Sequence, residues 1–448
     1  MKTRMKHSTL RRSVSAFAAS LLISAYACAS DDIPGKIQDH PIAITGATIH
    51  PVSGPVIEHG TILFDKGTIV SIGTPVQLPS NVEVINVDGK HVYPGLISSA
   101  TTIGLSEIGS IRATVDVRET GPINPNIRAE VAVNPESELI PVARANGITL
   151  VAATPDGELI AGTSAMIMLD GWTWEEMTLK APLAMNVIWP EMNILRRPYI
   201  RATEEEQKKE RDAHLKELAD AFRDARAYMT AKKAESEKGL PYHDVDVRWE
   251  AMIPVLEGKI PVVVWASDVQ QIEAAVAWAD REKINIIIGG GHDAWRVADL
   301  LKSRNIPVLA GGMQRLPDRR FEEYDEPEML PMKLYRAGIR FAIITEDEPA
   351  HERNLPYQAA RAAAFGLPKD EALRAITLSP AQIFGIANRV GSLDSGKDAT
   401  LIVTTGDPLD IRSNVVMEFI QGKRVDLSSR HTRLYEKYRE KYRRLKGE

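Results

Sequence analysis

The run PVVVWASDVQQIEAAVAWADREKINIIIGG (261–290) decides the fold. It opens on PVVVWA (261–266) and closes on NIIIGG (285–290), short β-branched runs of the kind found in strands buried on both faces. Between them VQQIEAAVAWADREK (269–283) reads as a helix. A strand–helix–strand unit implies a parallel sheet. The same alternation continues on both sides, with strand-like ITLVAAT (148–154), SAMIML (164–169), IPVLAG (306–311) and GIRFAIIT (338–345), and helix-like DAWRVADLLKSRN (293–305) and KDEALRAITL (369–378). So many units predict an α/β fold closed into a (β/α)8 TIM-like barrel.

The two ends of the chain read differently. PIAITGATIH (41–50), TILFDKGTIVSIG (61–73) and VEVINVDGKHVYPG (82–95) alternate apolar and polar residues between glycine turns, as do residues 388–427. These strand-rich pieces are expected to pair into one small β-sandwich domain built from both chain ends, over 41–92 and 388–428, around a barrel spanning 93–387. Within the barrel, residues 203–238 form a charged helical insertion whose Leu215, Leu218, Phe222 and Ala225 recur at helical spacing and give it one apolar face. Residues 429–448 read as a basic, solvated terminal helix.

Residues 1–29 have the form of a secretory leader. Lys2, Arg4, Lys6, Arg11 and Arg12 precede a short apolar core, and Ala25-Tyr26-Ala27 and Ala27-Cys28-Ala29 offer small-x-small cleavage sites. The expected location is periplasmic or secreted. Arg11-Arg12 leaves a twin-arginine route open, and Cys28, the only cysteine, leaves a lipid anchor open, although Ala25 and Tyr26 suit one poorly. No later stretch is long and apolar enough to span a membrane. With 55 basic and 60 acidic residues the chain has net charge −5, and loss of the leader makes it more acidic, which argues against nucleic acid as a partner.

HVYPGLI (91–97), ALRAITLSPAQIFGI (372–386) and GSLDSGKDATLIVTTGDPL (391–409) resemble the amidohydrolase superfamily, most closely its imidazolonepropionase-related branch. The first is similar to the entry into that superfamily's barrel, the others to its closing helix and return to the β domain. The resemblance implies metal-assisted hydrolysis of amide or related C–N bonds, in which one or two divalent ions polarise a carbonyl and generate hydroxide. It also implies ligands at strand exits: His-x-His on the first strand, histidines after the fifth and sixth, and an aspartate after the eighth.

This sequence departs from that ligand set. Ala100 and Thr102 hold the His-x-His positions, Trp265 holds the fifth-strand position and glycine, at 289–291, the sixth. Glu346, beside Asp347, holds the eighth. Alanine has no donor atom and threonine is a poor zinc ligand. Among the ten histidines only His292 and His351 fall just beyond barrel strand ends, and no two histidines have ligand spacing. No metal cofactor is therefore expected, with a divalent ion such as zinc if the site proves functional.

The candidate catalytic groups are His292, Glu346, Asp347 and His351. His292, after three glycines, suits a displaced ligand, a general base or a residue at a helix start beside a capping Asp293. His351 lies in the charged run TEDEPAHERN (345–354), which suits a cation, a substrate amine or plain solvation. Trp265, Asp293, Arg353 and Asn354 are candidate substrate contacts, and Glu107, Asp116 and Glu119 lie in a loop after the first strand. Three functions follow: a non-catalytic relative that binds a small-molecule ligand, forms a homodimer or pairs with an active amidohydrolase; a hydrolase of cyclic or peptide-like C–N bonds with an altered site; and metal-free chemistry by carboxylates and His292.

Overall fold

The computed structural model describes residues 32–196, 200–238, 244–346 and 348–447. The leader, Cys28, His243 and Asp347 lie outside the described residues. Eight strands form one sheet in chain order, Leu96–Thr101, Ile148–Ala153, Ile160–Met168, Thr178–Ile188, Val262–Ala266, Ile286–Gly290, Val308–Ala310 and Phe341–Ile343. The alternation of side chains explains the unbroken apolar runs. Along Val262–Ala266, Val262, Val264 and Ala266 face the surrounding helices, while Val263 and Trp265 join Ile97, Leu150, Ile287, Leu309 and Ala342 in the interior.

The sheet is nearly closed. At the seam, the Ile343 N–H donates to the Ala375 carbonyl (3.0 Å) and the Ile97 N–H to the Ile376 carbonyl (2.8 Å), so the end of the ALRAITL run bridges the last and first strands.

The barrel departs from a regular eightfold strand–helix repeat in one quadrant. Ile160–Met168 runs antiparallel to both neighbours, and only the short helix Trp174–Met177 separates it from Thr178–Ile188. Hairpin-like connections permit antiparallel pairing where a helical crossover would not. The run SAMIML is therefore a strand of opposite direction, and the long strand 178–188 carries no equally clear apolar signal.

Outside the barrel, the helix Glu204–Lys238 buries Leu218, Phe222 and Ala225. Phe222 meets Trp278 of the helix Val269–Glu282 edge-on, with ring centroids 5.0 Å apart. The two chain ends share a second eight-stranded sheet, in which His91–Pro94 pairs antiparallel with Leu401–Thr404 and parallel with Ile42–Ile49. No helix among the described residues is long and apolar enough to cross a membrane.

A cluster of buried charges joins this sheet to the barrel. Arg144 and Asp170, each 1% exposed at the side chain, stand 3.8 Å apart, and Lys423 closes on Asp170 at 2.5 Å. Glu418, from the strand Val415–Ile420, is fully buried beside them with neither carboxylate oxygen hydrogen-bonded. Burial pushes its carboxyl well above the usual value of 4.5, more than Arg144 draws it down, with Asp170 adding to the rise. Between pH 4.5 and that raised value the folded chain holds Glu418 neutral while the unfolded chain ionises it. That difference destabilises the fold as pH rises above 4.5. Glu418→Gln should therefore raise the thermal midpoint at pH 8 and change it little at pH 4, read by calorimetry; an equal effect at both pH values would contradict a neutral Glu418.

Candidate active site

The strand exits that bear on catalysis meet around two glycine seats. At the first, the indole of Trp265 packs against Gly289: a Cβ there would come within 2.7 Å of the ring carbon Cε3. The indole Nε1–H donates to Asn186 Oδ1 at 3.3 Å, which ties the ring to the neighbouring strand. The aromatic residue on one strand and the side-chain-free residue on the next are thus a matched pair.

The second seat holds Glu346. A Cβ on Gly311 would lie 2.6 Å, and one on Gly312 2.8 Å, from its Oε2, while Gly290 leaves room for Oε1. Glu346 itself has φ +49°, a left-handed conformation rare for a side chain of this size. Strain of this kind persists only where the surroundings hold it, and it turns the carboxylate across the mouth toward His292.

His292 is positioned by the turn leaving Ile286–Gly290, where the Gly291 N–H donates to the Ala266 carbonyl (3.1 Å) and the Asp293 N–H to the Ser267 carbonyl (2.8 Å). Its Nε2 stands 3.3 Å from Glu346 Oε2 and its Nδ1 3.5 Å from Asp318 Oδ2. Arg315 holds Asp318 from the other side at 2.9 Å. Burial opposes the charged imidazole, but the Asp318 and Glu346 carboxylates outweigh it and push His292 up to about 9. The same contact with His292, helped by Arg315 and Arg319, draws Asp318 below its ordinary value in spite of burial. At neutral pH His292 is a bound imidazolium, able to give a proton or hold an anion but not to act as a base without first losing that proton.

Only part of the expected cluster assembles. His292 and Glu346 come together and Trp265 lies in the same mouth, whereas Asp293 turns away. Asp293 does not cap the following turn. Its carboxylate receives Arg296 Nε and Arg319 Nη1, each at 2.9 Å, and so pins the segment that carries Asp318. Arg353 finds its partners outside that cluster, and Asn354 stands at the start of the helix Leu355–Ala364. The Arg353 carbonyl accepts from Asn146 at 2.5 Å, just ahead of the entry into Ile148–Ala153, and its guanidinium donates to His431 Nδ1 at 3.1 Å. His351, exposed in the same turn Pro349–Asn354, is not drawn to His292, and Glu352 is buried as the acceptor for the Thr345 hydroxyl at 2.8 Å. Asp116 and Glu119 are exposed, and Glu107 is pushed above its usual value by burial. Asp318 and Arg315 escaped the sequence reading because the RLPDRRFEEYDEPE segment (315–328) carries no apolar periodicity; its density of charge after the seventh strand was the available signal.

The residues present do not fit the family's metal. Ala100 and Thr102 supply no imidazole, the indole of Trp265 lies over Gly289 where the fifth- and sixth-strand histidines are expected, and the two nitrogens of His292 face separate carboxylates. Among the described residues no three His, Cys, Asp or Glu converge in a way that could hold an ion.

Residues 323–425 match the model of the amidohydrolase family. An amidohydrolase structure from Thermotoga maritima MSB8 is similar to 86% of this chain and 99% of its own, at 26% identity and TM-score 0.78. A prolidase solved with N-methylphosphonate-L-proline covers the same shares at 16% identity and TM-score 0.53. Among curated proteins, the amidohydrolase tasK of Hapsidospora irregularis is 22% identical over 397 residues, 81% of this chain; the chain spans only 39% of that relative's length. The closing segment of this chain thus matches the amidohydrolase family, and its fold is similar to that of a solved amidohydrolase.

The dyad sets a test. A histidine whose folded value is raised contributes stability that is fully present below its unfolded value near 6.5 and is lost as pH rises through about 9. The His292 ring resonances should titrate with a midpoint near 9, and Glu346→Gln should move that midpoint down by about one unit; an unaltered midpoint would show that Glu346 does not hold the proton.

Proposed function

We propose that this chain is an exported amidohydrolase-family protein whose mouth binds a small-molecule ligand without the family's metal hydrolysis, acting alone, as a homodimer or as the partner subunit of an active amidohydrolase. The observation that carries this reading is the seating of Trp265 over Gly289. An indole occupies the space in which two ligands would have to meet, and it leaves an aromatic wall suited to a flat or proline-like ring. Fold and catalysis use separate residues, so the barrel can persist while the chemistry is lost. Placement near the imidazolonepropionase-related branch rests on HVYPGLI and the 372–409 motifs alone. The division into a leader, a composite β-sandwich domain and a barrel belongs to the same proposal, as does a periplasmic or secreted location.

A second reading is favoured by the protonated His292. A C–N bond could be cleaved without metal if His292 protonated the leaving nitrogen while a carboxylate activated water. Glu346 is within reach of the imidazole, and it already holds that proton in place. The third reading, hydrolysis through an altered metal site, would need ligands that the described strand exits do not supply.

Metal analysis of protein exported by its own leader separates these readings. The expected content of zinc, manganese and iron together is well below one ion per chain; one tightly held ion per chain would overturn the non-catalytic reading. Ala100→His, Thr102→His and Trp265→His combined should still acquire no stoichiometric ion. Loss of the indole should cost less than the roughly 3–5 kcal/mol of a full Trp→Ala truncation, since histidine refills part of the seat. If cyclic amides or dipeptides are hydrolysed by metal-free protein and His292→Gln abolishes this, the metal-free reading stands instead.

A further inference from the structure

The last helix of the described residues, Arg430–Leu445, is started by a capping box between Ser429 and Thr432. Its first turn is tied to the body, where Arg433 meets Glu138 at 3.1 Å and His431 accepts from Arg353. From Leu434 to Leu445 every residue except Glu440 is exposed, so the helix stands clear on all faces. An isolated helix of this length is marginal in water.

Its surface is not the featureless polar one of a solvated tail. His431, Tyr435, Tyr438, Tyr442 and Leu445 recur at alternating steps of four and three and line one stripe, with Leu434 beside it. His431, Leu434, Tyr435, Tyr438 and Tyr442 border an open groove of about 760 Å³. Tyr435 is 63% exposed and Leu445 71%. Arg439 lies over the ring of Tyr435 and Lys441 over that of Tyr438, at 5.6 and 5.8 Å. Residues 430–446 hold eight Lys or Arg and two Glu, a net charge of +6, whereas residues 30–429 are net −15.

We propose that this helix docks the protein on an anionic phospholipid surface, lying along the interface rather than crossing it. Tyrosine rings prefer the boundary between headgroups and acyl chains, and basic side chains beside them reach the phosphates. A second copy of the helix is a poorer occupant of the stripe, because it would bring six like charges against six. The acidic body does not cancel the attraction. The twelve residues beyond the first turn extend roughly 18 Å, more than twice the screening length of about 8 Å at physiological salt.

The test compares the chain from Asp32 to Glu448 with one ending at Ser428 and with Tyr435→Ser/Tyr438→Ser/Tyr442→Ser, in co-sedimentation with vesicles. One set is phosphatidylcholine alone and the other an equal mixture with phosphatidylglycerol. The complete chain should sediment with the mixed vesicles and not with the neutral ones, and should be released by high salt. Truncation should lower the bound fraction at least about tenfold and the tyrosine variant several-fold, since charge and apolar contact both contribute. Both variants should melt as the parent does. No binding, equal binding to neutral vesicles, or full binding by the truncated chain overturns the proposal. So does a lipid-free dimer that truncation abolishes, which would assign the stripe to a second copy, or capture of an oligonucleotide in place of vesicles. Ligand binding at the barrel mouth is untouched by any of these outcomes.

Discussion

The mouth of this barrel is organised by steric matching between large side chains and absent ones. Trp265 can lie where it does only because residue 289 has no Cβ, which would otherwise stand 2.7 Å from the ring. Glu346 can cross to His292 only because residues 311 and 312 have none. Interiors are packed closely enough that one methyl group decides such arrangements. The consequence is chemical: an indole packed on Gly289 and an imidazole held between two carboxylates share the mouth.

This arrangement also explains why substitutions that look separate in the sequence belong together. Trp265 and Gly289, on adjacent strands in register, are one unit. Glu346, Gly311 and Gly312 are another, which seats the carboxylate beside His292. The segment carrying Asp318 is tied down by Asp293, whose ion pairs with Arg296 and Arg319 keep the second carboxylate beside His292. A residue read as a helix cap or a substrate contact therefore acts by positioning a neighbour of the imidazole.

Much of the fold was legible because buried strands and amphipathic helices have local signatures. PVVVWA, NIIIGG and the Val269–Glu282 helix were placed within a residue or two. The direction of a strand has no such signature: SAMIML reads the same upward or downward, and its antiparallel course is set by the tight connections around it. The site was legible in part for the same reason. That residues 100, 102 and 265 carry no imidazole follows from residue identity alone, and Glu346 and His292, both read at strand exits, do come together. The fate of Arg353, Asn354 and Asp318 depends on where irregular segments lead, and nothing periodic marks that. Arg353 ends beside Asn146 and His431, while residues 315–318 bring Asp318 to His292.

The most direct measurement is the thermal midpoint of the chain and of Gly289→Ala, each with and without one molar equivalent of zinc. With an indole seated on Gly289, the added methyl group should lower the midpoint by several degrees, and zinc should leave the parent unchanged. A parent stabilised by zinc as expected for a ligand that binds only the folded state, together with a Gly289→Ala variant as stable as the parent, would contradict a mouth closed by Trp265.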